Sequence, residues 1–431
     1  MWRMATTILV VVFLMAPGVA SAAPGDLDDT FSDDGWVRTL EVTGDSANYL
    51  PDGAASVAIT PDDRIVTAGE VIDGNAQWYF GVFRYLADGE LDTSFGEGGW
   101  VANDLGSFEM PRAVEVQSDG KIVVGGDSDC PFHGCFTLAR YLPNGMLDPT
   151  FGGDGIVQTI FRDNAAVALD IDLAPGGKIV AAGFGRKGGD ALDDALFALA
   201  RYKPNGALDK TFSGDGKVTI DFGFGDDLAY SVQALSNGKI VAAGSGTRNL
   251  YVTDDDFAIA QLRADGSRDR SFSGNGLLTV DLGSGRPETA FDVVRHRDGF
   301  VVAGSTTAGR NRAPKMGVVR IGTGGQVDRG FGLRRIQPGR YGGYARAAAV
   351  DGEGRILLGG RAFVDSNHDP SDWIVTRLLP GGSRDSSWSG GLARVDFGTG
   401  ADQINDLVFQ NRKLVAAGSI YGSLGLARFQ P

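Results

Sequence analysis

The stretch "FALARYKPNGALDKTFSGDGKV" runs from Phe197 to Val218, and "FTLARYLPNGMLDPTFGGDGIV" runs from Phe136 to Val157, 61 residues earlier. A repeat of this period restricts the fold to a solenoid, a propeller or an array, so it is counted first. An LDxTF element begins at Leu27, Leu91, Leu147 and Leu208, with drifted copies at Arg268, Val327 and Arg384, spaced 56 to 64 residues apart. A turn leading into an apolar strand, as in "SDGKIVVGG" from Ser118 and "PGGKIVAAG" from Pro175, also occurs seven times. So does an alternating strand, beginning at Phe80, Phe136, Phe197, Phe257, Met316, Trp373 and Leu424.

Strand content decides among the repeat architectures. The third unit holds four short β-like runs, "AVALDID", "KIVAAG", "FALARY" and "KVTIDF", each bounded by Gly, Asp, Asn or Pro. No window carries a sustained helical period, which removes the helical solenoids. The 65 glycines fall without a triplet period and fit many tight turns between short core segments. Four antiparallel strands per unit, repeated radially, make an all-β seven-bladed β-propeller. The ends of the chain complement each other. "LDDTFSDDGWVRTL" is the tail of a unit, and Ile404–Phe429 supply three strands of a unit that lacks its fourth. The spacing therefore predicts a ring in which the N-terminal strand near Trp36–Leu40 completes the last blade.

The pattern "NGxLDxTF(S/G)xDG", followed by a β run, then "DGKIVVAG" and "DFALARY", resembles the delta-60 repeat family of bacterial β-propeller proteins. The resemblance covers essentially all of the chain after residue 22. Units five and six depart furthest, with Met316-Gly317 in place of an acid and an aromatic, and "RGFGLRRI" without an Asp-Gly turn. The resemblance implies a propeller exported by a bacterium and transfers no catalytic residue set.

The first 22 residues, "MWRMATTILVVVFLMAPGVASA", carry one positive charge, a short apolar run and small residues at Ala20 and Ala22. They read as a secretory signal cleaved after Ala22, because the run is far below the roughly 20 residues of a membrane span. Residues 23–431 then form a single propeller domain, periplasmic or extracellular, with no membrane span. Removing Arg3 with the signal leaves 39 basic against 54 acidic residues, about −15. With no basic run, nucleic acid is excluded as a partner. Cys130 and Cys135 are the two cysteines, and in an oxidising compartment they are expected to pair. So short a ring contributes ~2 kcal/mol.

Chemistry is sparse. His133, His296 and His368 lie in different units, and no nucleophile elbow, H-E-x-x-H or Walker motif is present. "GFGRKG" from Gly183 matches a dinucleotide fingerprint but leads into another strand, which leaves no helix N-terminus for a pyrophosphate. The Asp of LDxTF and the Arg of the third strand recur in nearly every unit, so they read as blade-building devices. "DSNHDPSD" places Asp365, Asn367 and Asp369 at alternating positions, a weak calcium pattern, since Pro370 stands where such loops need glycine. No catalytic residue and no cofactor is assigned.

Antiparallel order puts the loops between second and third strands on one face with the connections between blades. That face is irregular in sequence, while the opposite face holds near-identical turns. Binding residues sit on variable loops of a rigid scaffold, and the ligand-face candidates are Trp78, Tyr79, Tyr251, Arg310, Arg312, Tyr341 and Tyr344. Two functions remain open: a binding or scaffold module for an extracellular protein or carbohydrate, and an extracellular hydrolase or lyase with carboxylates at the channel mouth.

Overall fold

The computed structural model describes residues 23–40, 42–43, 48–105, 109–130, 134–161, 165–186, 194–247, 255–283, 287–306, 313–366, 370–398 and 400–431. They form seven antiparallel sheets arranged as a ring, with one short 3-10 turn at Ser389–Gly391. The innermost strands of blades 1 to 7 are Asn48–Ile59, Met110–Val116, Ala166–Ala174, Phe224–Ala234, Glu288–His296, Gly343–Val350 and Gln403–Gln410. Each contacts the innermost strands of its two neighbours, which closes a channel around the axis. Blade 1 carries an extra two-residue strand, Val42–Thr43, on its inner edge.

The expected closure is observed. Trp36–Thr39 pairs antiparallel with Leu424–Ala427 as the outer strand of blade 7. Its last residue, Thr39, then meets the buried Tyr85 hydroxyl of blade 1 at 2.7 Å.

Burial follows position in the blade. Third strands such as Ala195–Tyr202 are buried throughout, because each blade is covered on both faces by its neighbours. The core is accordingly divided into clusters lying between facing sheets. One of them packs Val123, Phe136 and Leu138 of blade 2 against Ile171, Ile179 and Ala181 of blade 3. The outer strands, four residues long in most blades, keep one side toward solvent.

The LDxTF aspartate and the strand arginine pair within a blade, as expected of blade-building devices, and the arginine also ties its blade to the next. In blade 2, the Asp148 carboxylate accepts from Arg140 Nε at 2.9 Å, and Lys121 Nζ lies 3.1 Å away. It also accepts from the Thr150 amide and hydroxyl at 3.0 and 2.7 Å. Arg140 stacks on Phe151 and donates through Nη1 to the Pro204 carbonyl of the next blade. Arg84, Arg201, Arg320 and Arg428 reach a carbonyl of the following blade in the same way. Burial alone would push Asp28 up, but hydrogen bonds from Lys413, Thr30 and Arg428 hold it at about 2. Blade 4 departs from the pattern: Gln261 replaces the arginine, and Lys239 holds Asp269 at 2.6 Å.

Cys130 and Cys135 form the expected disulfide. Residues 1–22 lie outside the described residues. Among the described residues, no helix is long and apolar enough to cross a membrane.

Candidate functional site: the channel and its mouth

Every second strand carries a glycine at one fixed place: Gly69, Gly126, Gly183, Gly244, Gly304, Gly360 and Gly418. A Cβ there would fall inside van der Waals contact of the carbonyl of Gly53, Met110, Val167, Leu228, Thr289, Tyr344 or Gln403 on the innermost strand. Three residues beyond each of those carbonyls, the pairing register resumes after a shift, at Ser56, Ala113, Asp170, Ser231, Asp292, Ala347 and Asp406. The glycine thus gives room to a β-bulge, and the bulge re-aims the side chains beside it.

The re-aimed residues build a belt around the channel. Asp406 Oδ2 accepts from the Val57 amide at 2.9 Å and the Ser56 hydroxyl at 2.8 Å. Ser56 Oγ accepts from Val114 at 3.2 Å. Asp170 accepts from Ile171 and from Val232, both at 2.8 Å. Ser231 Oγ accepts from Val293 at 3.2 Å and donates to Asp292 Oδ1 at 3.0 Å. Asp292 Oδ2 accepts from Ala348 at 2.7 Å, and Asp406 Oδ1 accepts from Leu407 at 2.7 Å. Three aspartates and two serines therefore satisfy one backbone amide in each of the seven blades. Where the position is alanine, at Ala113 and Ala347, the next blade's amide is taken by its own Asp170 or Asp406.

These carboxylates line a cavity of about 540 Å³ at the end of the channel where the innermost strands begin, the irregular face. Enclosure by protein pushes Asp292 up to about 7, with Asp406 adding repulsion, and pushes Asp170 and Asp406 upward too. One layer deeper, Asp172 accepts from Gln233 and Ala234 and is raised to about 6, and burial also raises Glu115.

The mouth is asymmetric. The extra residues of the bulges are Ala55, Arg112, Leu169, Tyr230, Phe291, Arg346 and Asn405, six residue types over seven blades with arginine alone used twice. Tyr230 meets Phe291 edge-on at 5.1 Å, and Arg346 lies over Phe291 at 4.7 Å. Arg112 is tied to Asp127 at 3.4 Å.

Of the residues expected on this face, Tyr344 reaches the mouth. Its ring contacts Phe291 and lies under Arg361 at 4.6 Å, and its hydroxyl donates to Gln403 at 2.8 Å. Tyr79 bonds Asp73 at 3.2 Å within its own blade, and Trp78 opens the same strand. Tyr341 lies half-buried in the linker before blade 6, beneath Arg340. Tyr251, Arg310 and Arg312 lie outside the described residues, as do Asn367 and Asp369; Asp365 is half-buried in a bend. Asp256, Asp281 and Glu288 bring ligand-type oxygens within 4.8 Å of one another between blades 4 and 5. Two of them shape the linker, since Glu288 accepts from Leu282 at 2.6 Å and Asp281 from Gly283 at 2.5 Å. The belt aspartates were not singled out from sequence, although "ALDI", "AFDV" and "INDL" recur at one offset before the strand turn.

No curated protein matches the chain. Solved structures similar to it include a protein of unknown function from Dyadobacter fermentans, at 11% identity and a TM-score of 0.42, covering 92% of this chain and 99% of that one. Drosophila Plexin A in complex with Semaphorin 1b aligns at 11% identity and a TM-score of 0.43, covering 91% and 87%. An alpha-L-arabinanase from Penicillium chrysogenum, complexed with arabinobiose, aligns at 10% identity and a TM-score of 0.42, covering 92% and 98%. Residues 60–95, 117–151, 175–212 and 235–272 match the family described as a domain of unknown function (DUF5122) beta-propeller. Each match runs from the turn after an innermost strand to the aromatic of LDxTF, so four of the seven repeats are similar to that propeller family.

Proposed function

We propose that the protein is an exported binding propeller that takes an extracellular carbohydrate or protein at the channel mouth. The observation that carries this reading is the division of labour at the bulges. The channel aspartates accept backbone amides around the ring, whereas the residues beside them run through six types, with only arginine used twice, and give one asymmetric surface. A signal at residues 1–22 and the Cys130–Cys135 disulfide support export into an oxidising compartment. Delta-60 membership is part of the same proposal. The test is a glycan and peptide array incubated with residues 23–431 and with Tyr230→Ala. Retained signal that drops with Tyr230→Ala supports the reading; signal unchanged by the substitution places the partner elsewhere.

A second reading, a hydrolase or lyase, is favoured by one observation: Asp292 is raised to about 7 inside a concave site with other carboxylates, as a general acid requires. Turnover of any arrayed glycan that disappears in Asp292→Asn would establish it. Binding without turnover leaves the binding module.

A further inference from the structure

Resting on the mouth reading above, we infer that the ligand is a saccharide carrying a carboxylate, a uronate-type sugar, held by Arg346. Among the described residues, no hydrogen bond or ion pair engages the Arg346 guanidinium. Its Nε is enclosed and without an acceptor, and the ring of Phe291 supports its face. The channel aspartates Asp170, Asp292 and Asp406 are directed at backbone amides of the belt, and among the described residues none of them forms an ion pair with Arg346. The one other arginine lining the cavity, Arg112, already faces Asp127. A planar guanidinium with unspent donors matches a carboxylate in two parallel hydrogen bonds.

What lies below Arg346 narrows the class. The wall under the mouth is acidic and acceptor-rich, so it favours groups that donate hydrogen bonds, such as sugar hydroxyls, and opposes further negative charge. A ligand with one carboxylate and several hydroxyls fits that layering; a sulfate- or phosphate-rich polymer does not. Tyr230 offers an aromatic surface beside the arginine for the C–H face of a sugar ring. About 540 Å³ is room for a sugar unit with its neighbour and exceeds what a free amino acid fills.

The experiment is calorimetric titration of residues 23–431 with a trisaccharide of one terminal galacturonate on galactobiose, with galactotriose as its neutral counterpart, and with a glycine-alanine dipeptide. The mono-galacturonate trisaccharide should bind at least tenfold more tightly than galactotriose, and the preference should fall as salt rises. Arg346→Gln should remove the preference without lowering the melting temperature, and Arg346→Lys should restore part of it. Equal binding of the two sugars, unaffected by Arg346→Gln, overturns the carboxylate inference while leaving the mouth reading intact if Tyr230→Ala weakens both. Tighter binding of the dipeptide overturns the saccharide assignment. Failure of every compound to bind, with Tyr230→Ala equally silent on the array, overturns both.

Discussion

A methyl group on Gly304 would collide with the carbonyl of Thr289, and one on Gly183 with that of Val167. Neither neighbour is a flexible side-chain end, so the innermost strand would have to move and carry its belt aspartate with it. Gly304→Ala is expected to destabilise the protein by about 2–3 kcal/mol, the scale of overpacking in a close-packed interior. Equilibrium urea unfolding measures it, and a shift under half that size would mean the bulge tolerates displacement. The belt makes a second residue-scale prediction. Asp292→Ala strands the Ala348 amide and should cost about 1–3 kcal/mol, whereas Asp292→Asn keeps an acceptor and should cost clearly less. Equal losses for the two would show that the carboxylate's charge, not its acceptor oxygen, is what the ring uses.

At the scale of elements, the weak point is the shared blade. Trp36–Thr39 is the only strand of blade 7 that comes from the start of the chain. The same segment brings Asp28, which pairs with both Lys413 and Arg428. Deleting residues 23–40 should therefore do two things. It exposes the edge of Ser423–Phe429, and it leaves the buried Arg428 without its carboxylate. A large fall in melting temperature with aggregation is expected, compared with a deletion ending at Gly25. Light scattering during a thermal ramp distinguishes them. Similar melting of the two truncations would mean that the ring holds without its closing strand.

The whole molecule combines two populations of acids with opposite pH behaviour. Asp292 and Glu109 are raised to about 7, and Asp127 and Asp172 to about 6, chiefly by burial. The native state then binds more protons than the unfolded chain between about pH 4 and 7, so their contribution falls as pH rises through that window. Asp28 and Asp269 are held at about 2, and Asp148 and Asp209 are also lowered. Their contribution is present above about pH 4 and is lost as pH falls toward 2. Stability should peak in mildly acidic solution, near about pH 4–5, and decline on both sides. Urea midpoints at acidic, mildly acidic and neutral pH check this, and a maximum above neutrality would contradict the enclosure of the channel acids.

Seven repeats, four strands in each and closure by the first strand were legible in the sequence, because each rests on spacing along the chain. The recurrence of Asp148 and Arg140 likewise marked them as blade-building residues, since the pair lies only eight residues apart, but not the reach of the arginine to the next blade. The channel was not legible in that way. A strand read with period two puts Asp170, Asp292 and Asp406 on alternating faces like any other residues, and a bulge resets that alternation by one residue. The bulge in turn depends on a glycine in the next strand, and the belt partners are about 60 residues or more apart in sequence. Which polar residues face one another across the axis, and that Arg346 stands at the mouth without a carboxylate, were decided only when the ring closed and brought seven separate strands around one channel.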